Sequence, residues 1–233
     1  MPWDGNELWV ADLDSEGFLF NKRKIISDKE SVFQPEWSPD GILYFVSDRN
    51  GWWNLHRYND NQVEIVLEAK AEFGSPMWVF GMSNYVFASS DLIISKYTKN
   101  GYWYIGKINL KANTLEDIEL EEGYDFSRSN IEIHQGKIYF GGGSVSKVFS
   151  IFEFNINTNV LNTLKKSMSL DIPLNYISKP EPIKFKTTEE ADSHAFFYPP
   201  CSNNFVADIN EKPPLIVIIH GGPTGSASIT LNM

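Results

Sequence analysis

The residues with the clearest chemical potential are His220-Gly221-Gly222-Pro223-Thr224-Gly225, which follow the aliphatic run Leu215-Ile216-Val217-Ile218-Ile219 without a break. Glycines just past the carboxyl end of a buried strand let the backbone approach a ligand closely, and backbone N–H groups there can stabilise an oxyanion. The same six residues also fit an ordinary tight turn. A phosphate cradle fits less well, because neither Gly-x-Gly-x-x-Gly nor a Gly-Lys-Ser/Thr ending is present. No serine stands in a Gly-x-Ser-x-Gly elbow; Gly142-Gly143-Ser144-Val145-Ser146 lacks the final glycine and reads as a strand-end turn. The histidines His56, His134, His194 and His220 are far apart, without the spacing that binds zinc, so no metal or other cofactor is expected. His134 reads as a polar residue near a turn, His56 and His194 as strand residues, and Glu119, Glu121 and Glu122 as a solvated loop.

The elements that must position this loop are β-strands. Aromatic residues make up 14% of the chain and cluster in short segments separated by Gly, Asn, Asp and Pro. One pattern recurs: Leu8-Trp9-Val10-Ala11-Asp12, Leu55-His56-Arg57-Tyr58-Asn59, Ile105-Gly106-Lys107-Ile108-Asn109 and Ile151-Phe152-Glu153-Phe154-Asn155, at spacings of 47, 50 and 46 residues. Each copy is followed by a second strand candidate: Lys24–Ile26, Val63–Leu67, Leu115–Ile118 and Val160–Leu164. Each later copy is preceded by another: Ile42–Ser47, Tyr85–Ser89 and Lys137–Phe140. Further candidates lie near Pro35-Glu36-Trp37 and Pro76-Met77-Trp78. Four short strands per repeat of this length make a β-propeller blade, whereas a β-sandwich has no reason to repeat at a near-constant interval. Three complete repeats and the tail of another precede residue 166, short of the ~4 to 8 blades that close a ring. The fold class is therefore all-β, with a partial propeller of about three to four blades. Trp52, Trp53 and Trp103 could line a ligand-binding rim, though blade packing accounts for most propeller aromatics.

After residue 166 the repeat stops, and seven prolines fall between Met168 and Pro214. The expected organisation is a partial propeller over 1–166, a linker over 167–182 and a second domain over 183–233. In the second domain, Ile183–Thr187 and His194–Tyr198 read as two strands joined by an acidic turn. Leu215–Ile219 reads as a strand buried on both faces, as in a mainly parallel sheet.

Composition sets the outer limits. With 20 Lys and Arg against 30 Asp and Glu, the formal charge is −10, which disfavours non-specific nucleic-acid binding. With 42% apolar residues, the chain can bury a core. The single cysteine, Cys201, excludes an internal disulfide framework and favours a cytoplasmic setting. No apolar run approaches the ~20 residues of a membrane-crossing helix, so no membrane association is expected.

These residues carry a resemblance. Met1-Pro2-Trp3-Asp4-Gly5-Asn6-Glu7-Leu8-Trp9, then Gln34-Pro35-Glu36-Trp37-Ser38-Pro39-Asp40-Gly41 with Ser47-Asp48-Arg49, then His194–Pro200 with Pro213–Pro223, resemble the prolyl oligopeptidase family of serine peptidases. The likeness is strongest to the acylaminoacyl-peptidase-like branch, and the three segments occur in the family's order. The resemblance implies a seven-bladed propeller over an α/β-hydrolase domain, of which residues 183–233 would be the first strands. It implies a serine hydrolase acting on short peptides or acylated amino acids. The family's nucleophile elbow, Asp and His would lie beyond Met233, so no catalytic residue carries over and the chain alone is expected to be inactive. What carries over is the oxyanion loop, with Gly222 as backbone donor and His220 and Gly221 shaping the turn. Open blade edges and the Leu215–Ile219 run make self-association possible. The alternative is a non-catalytic propeller that binds protein partners through its rim.

Overall fold

A computed structural model describes residues 1–231 except 28, 122, 128 and 171. Strands β1 (Leu8–Leu13) and β2 (Leu19–Ile26) form a two-stranded sheet. A four-stranded sheet follows, made in chain order from β3 (Val32–Trp37), β4 (Leu43–Ser47), β5 (Asn54–Asn59) and β6 (Gln62–Ile65). The next has the same order: β7 (Tyr85–Ser89), β8 (Leu92–Lys99), β9 (Tyr102–Asn109) and β10 (Thr114–Asp117). In the last large sheet, β11 (Tyr124–Asp125) and β12 (Ile131–His134) both pair with β13 (Lys137–Ser144), which continues to β14 (Ser150–Asn155) and β15 (Val160–Lys166). All these pairings are antiparallel, and the successive meanders are propeller blades.

The recurring sequence pattern is the third strand of the three later blades and β1 of the two-stranded sheet, and its closing residue has a physical role. Asn109 Oδ1 accepts the N–H groups of Lys111 and Ala112 at 3.0 and 2.9 Å, and Asn155 Oδ1 accepts those of Asn157 and Thr158 at 2.9 and 3.1 Å. Each side chain thus closes the turn into the fourth strand. Asn59 ends on a different turn, in which Asp60 and Asn61 both take positive φ, at 48° and 62°. That is the two-residue hairpin geometry whose twist matches the strands.

Two strand readings need correction. Pro76–Trp78 is not a strand, and Tyr85–Ser89 is the first strand of its blade rather than the second; the second is β8, joined to β7 through the two residues Ser90 and Asp91. So short a connection merges two strands into one apolar stretch of sequence. Gly142 and Gly143 lie within β13 rather than in a turn. A Cβ on Gly142 would meet the Phe126 ring at 2.9 Å, and one on Gly143 would meet Thr230 Cγ2 at 2.2 Å. Close approach, not turning, requires glycine there.

The core lies between blades. Leu8, Ile26, Val32, Leu43 and Phe45 fill the first interface; Phe33, Tyr44, Val46, Leu55, Tyr85 and Ile93 belong to the second; Val86, Ile94, Ile105, Tyr124, Phe140 and Phe152 to the third. Neighbouring strand residues point to opposite faces, so Phe45 and Val46 enter different interfaces, as do Ile93 and Ile94. A blade covered on both sides therefore needs continuous apolar runs.

Beyond the blades, a 3₁₀ turn at Leu174–Tyr176 leads to the antiparallel hairpin of β16 (Glu181–Lys186) and β17 (Asp192–Phe197). Residues 215–219 form no strand, and their side chains are 71–90% exposed. The buried strand read from this run is thus not observed. Its composition suits a sheet interior, but no described strand lies alongside to take its backbone hydrogen bonds.

Candidate functional site

The loop over residues 220–225 turns on Gly222, whose φ of +71° is left-handed and disfavours a side chain even though the space around it is open. Gly225 is needed for another reason, since a Cβ there would come within 2.2 Å of Gly221 O. His220 is exposed, with Nδ1 3.4 Å from Gly221 O. The propeller reaches this loop from far away in sequence: the Trp78 indole N–H donates to Thr224 Oγ1 at 2.9 Å. Trp3 packs on Trp78 with ring centroids 4.5 Å apart.

Three more contacts hold the C-terminal segment against the blades. The Phe196 ring meets Tyr102 edge-on at 5.7 Å, the Leu231 N–H donates to Ser144 O at 2.7 Å, and Leu231 forms a parallel bridge with Val148. Beside that bridge is a hollow of about 210 Å³ between β14, β15 and residues 168–170, 172 and 177. Its lining mixes Phe152, Met168 and Leu170 with Ser and Lys side chains.

The other sequence candidates are structural. Trp53 stacks on Phe33 at 6.2 Å, and Trp103 packs against the third blade interface with Lys96 Nζ 5.3 Å over its ring. Trp52 stays partly exposed in the connection between β4 and β5. His56 is buried, with Nδ1 2.9 Å from Asn54 O, and burial lowers its pKa against that hydrogen bond. His134 ends β12 and His194 lies in β17. Glu121 is exposed and paired with Lys147 at 3.5 Å, whereas Glu122 lies outside the described residues. Among the described residues, no group of three or more His, Cys, Asp or Glu could hold a metal ion. No described helix is long and apolar enough to cross a membrane.

The quoted blade signatures turn out to be joints. Asp48 Oδ1 accepts the Ser31 N–H at 2.7 Å, and Arg49 grips Glu30 through Nε and Nη2 at 2.9 and 2.8 Å. Burial would raise the Glu30 pKa, but hydrogen bonds from Arg49 and Ser47 hold it below the usual carboxylate range. Ser38 Oγ accepts the Ile42 N–H at 2.9 Å, closing the Trp37–Gly41 turn.

Two inter-blade joints have partners that the sequence does not mark. Gln34 sits at φ +48° in a bulge of β3. Its Oε1 accepts the Asn84 and Tyr85 N–H groups at 2.6 and 3.2 Å, while its Nε2 donates to Tyr85 O at 2.7 Å. Lys96, fully buried in β8, donates from Nζ to Phe126 O at 3.1 Å and also to Ser129 O. Burial pushes the Lys96 pKa down to about 8, against the favourable charge of Asp125.

Sequential antiparallel blades, a hairpin after them and a glycine loop held to the blades through Trp78 define a partial β-propeller with a C-terminal extension. No family model and no curated protein matches the sequence, but solved structures do. The chain superposes on puromycin hydrolase with a TM-score of 0.90 and 26% identity, and on a puromycin-hydrolysing peptidase from Mycobacterium tuberculosis with 0.89 and 25%. In both cases 99% of this chain covers 35% of the other. Prolyl oligopeptidase B from Galerina marginata shares the fold more distantly, with a TM-score of 0.62 and 12% identity over 84% of this chain and 27% of its own. The structural neighbours are peptidases of the prolyl oligopeptidase (S9) family, as the sequence resemblance implied, and the chain spans about a third of their length.

Proposed function

We propose that this chain is part of a larger serine peptidase of the acylaminoacyl-peptidase-like branch, which cleaves short peptides or acylated amino acids. An aminoacyl amide such as puromycin falls within that substrate class. The carrying observation is the 0.90 TM-score to puromycin hydrolase over 99% of the chain, which includes the glycine loop. The division into propeller (1–166), linker (167–182) and truncated hydrolase domain (183–233) is part of the same reading, as are a cytoplasmic setting and no role for nucleic acid or membrane. The triad would come from outside these residues, so the isolated chain is inert. Its exposed Leu215–Ile219 run favours self-association.

Gly222 would donate its N–H to the developing oxyanion, while His220 and Gly221 shape the turn. The left-handed φ of +71° decides how to test this, because proline cannot adopt it and alanine would strain it. Replacing the peptide bond before Gly222 by an ester removes the N–H and leaves φ free. In the complete peptidase that replacement lowers kcat by ~100-fold or more, the size of one lost oxyanion donor; an unchanged kcat would remove Gly222 from the mechanism. For the isolated chain, a fluorophosphonate probe should label no serine, and stoichiometric labelling of one serine would contradict inertness.

A further inference from the structure

The loop between Pro76 and Gly81 contains Met77, Trp78, Val79 and Phe80 and no charged or hydrogen-bonding side chain other than the Trp78 indole. Its base is fixed on both sides. Asn6 Nδ2 contacts Met77 Sδ at 3.7 Å, and Asn130 Nδ2 donates to Gly81 O at 2.9 Å while its Oδ1 accepts the Ser83 N–H at 3.0 Å. Gly81, at φ +76°, returns the chain to β7. The tip projects outward: Trp78 is 59% exposed, Val79 68% and Phe80 106%. Blade aromatics such as Phe33, Phe45 and Tyr85 are buried between sheets, whereas the Phe80 ring packs on none of the described sheets. One end of the tip meets the candidate site, because the Trp78 indole holds Thr224, two residues past Gly222.

We propose that Trp78 and Phe80 form a specificity-determining ledge for an aromatic side chain of a short peptide substrate whose scissile carbonyl lies at the 220–225 loop. This rests on the oxyanion reading of that loop. The ledge offers ring faces and edges, which gain from a second ring at 4.5–7 Å, and no partner for a charged side chain, which would lose water uncompensated. Its pinned base means little ordering entropy is lost on binding. Trp78 has a second role, positioning the glycine loop through Thr224.

The test compares Phe- and Ala-anilides as substrates of the complete peptidase that contains this segment. Phe80→Ala removes a ring that is fully exposed in this chain, and it lowers the Phe-to-Ala ratio of kcat/KM by ~10-fold or more, chiefly through KM, while the melting temperature of the complete peptidase stays unchanged. A fall in melting temperature with the ratio unchanged would show that the ring packs inside the complete peptidase and would overturn the ledge. Trp78→Phe keeps a ring but loses the indole N–H, and it lowers kcat on both substrates. Trp52→Ala, at an exposed indole in the connection between β4 and β5, leaves the ratio as it was. An unchanged ratio in Phe80→Ala, with turnover intact, overturns the ledge and leaves the loop reading standing. Turnover of neither anilide by the unsubstituted enzyme overturns the loop reading, and the ledge with it.

Discussion

The blades and the segment after residue 183 use similar apolar runs and reach opposite states. Phe45 and Val46 in β4 are fully buried, while Leu215–Ile219, as aliphatic as any blade strand, is 71–90% exposed. The difference lies in neighbours rather than composition. The β3–β6 and β7–β10 blades each have a sheet on both faces to cover their side chains and partner strands for their backbones, and among the described residues no buried side-chain N or O lacks a hydrogen-bond partner. The later segment has one hairpin and a few point contacts with the blades, so its apolar residues have nothing to enter. Hydrophobicity in a strand sequence states a requirement, and a second surface must meet it.

Substitutions can sharpen or break this contrast. Phe45→Ala removes a ring from the first blade interface and should lower unfolding free energy by ~3–5 kcal/mol in urea titrations; a small loss would mean that this interface is loosely packed. Gln34→Ala leaves the Asn84 and Tyr85 N–H groups buried without their acceptor, and a loss of about 2–3 kcal/mol is expected by the same assay.

Lys96 makes the blade side dependent on pH. Its pKa is depressed in the fold, from 10.5 to about 8, so between those values the unfolded chain binds more protons and stability rises with pH. The stability difference between the unsubstituted chain and Lys96→Met should shift by up to about 2 kcal/mol in favour of the unsubstituted chain from pH 8 to 9.5. A flat difference would show that Lys96 is not desolvated. At the other extreme, Ile218→Ala should change stability by no more than ~0.5 kcal/mol, the range of surface substitutions.

The repeat was legible in the sequence because every copy runs up to a turn that favours Asn or Asp, and in two of them, at Asn109 and Asn155, the side chain closes the turn with the same pair of hydrogen bonds. β8 escaped because only Ser90 and Asp91 separate it from β7, too little polar sequence to mark a boundary. β12, Ile131–His134, is four residues long and was equally unmarked. The joints made by Gln34 and Lys96 end on backbone groups, which every residue carries, so no partner residue could be read. The glycine loop was visible as a motif, whereas its contact with Trp78 joins positions 146 residues apart and follows only from the fold. The Leu215–Ile219 run gave the right chemistry for a sheet interior and no information on whether a sheet surrounds it.

Hydrogen exchange on the 233-residue chain, resolved by peptide, tests the central contrast most directly. Amides of β4, β5, β8 and β13 should exchange slowly, at rates set by global unfolding, while peptides spanning residues 213–225 should exchange within seconds. Slow exchange across residues 215–219 in the monomeric chain would mean that this run already sits in a paired sheet, and would contradict the account.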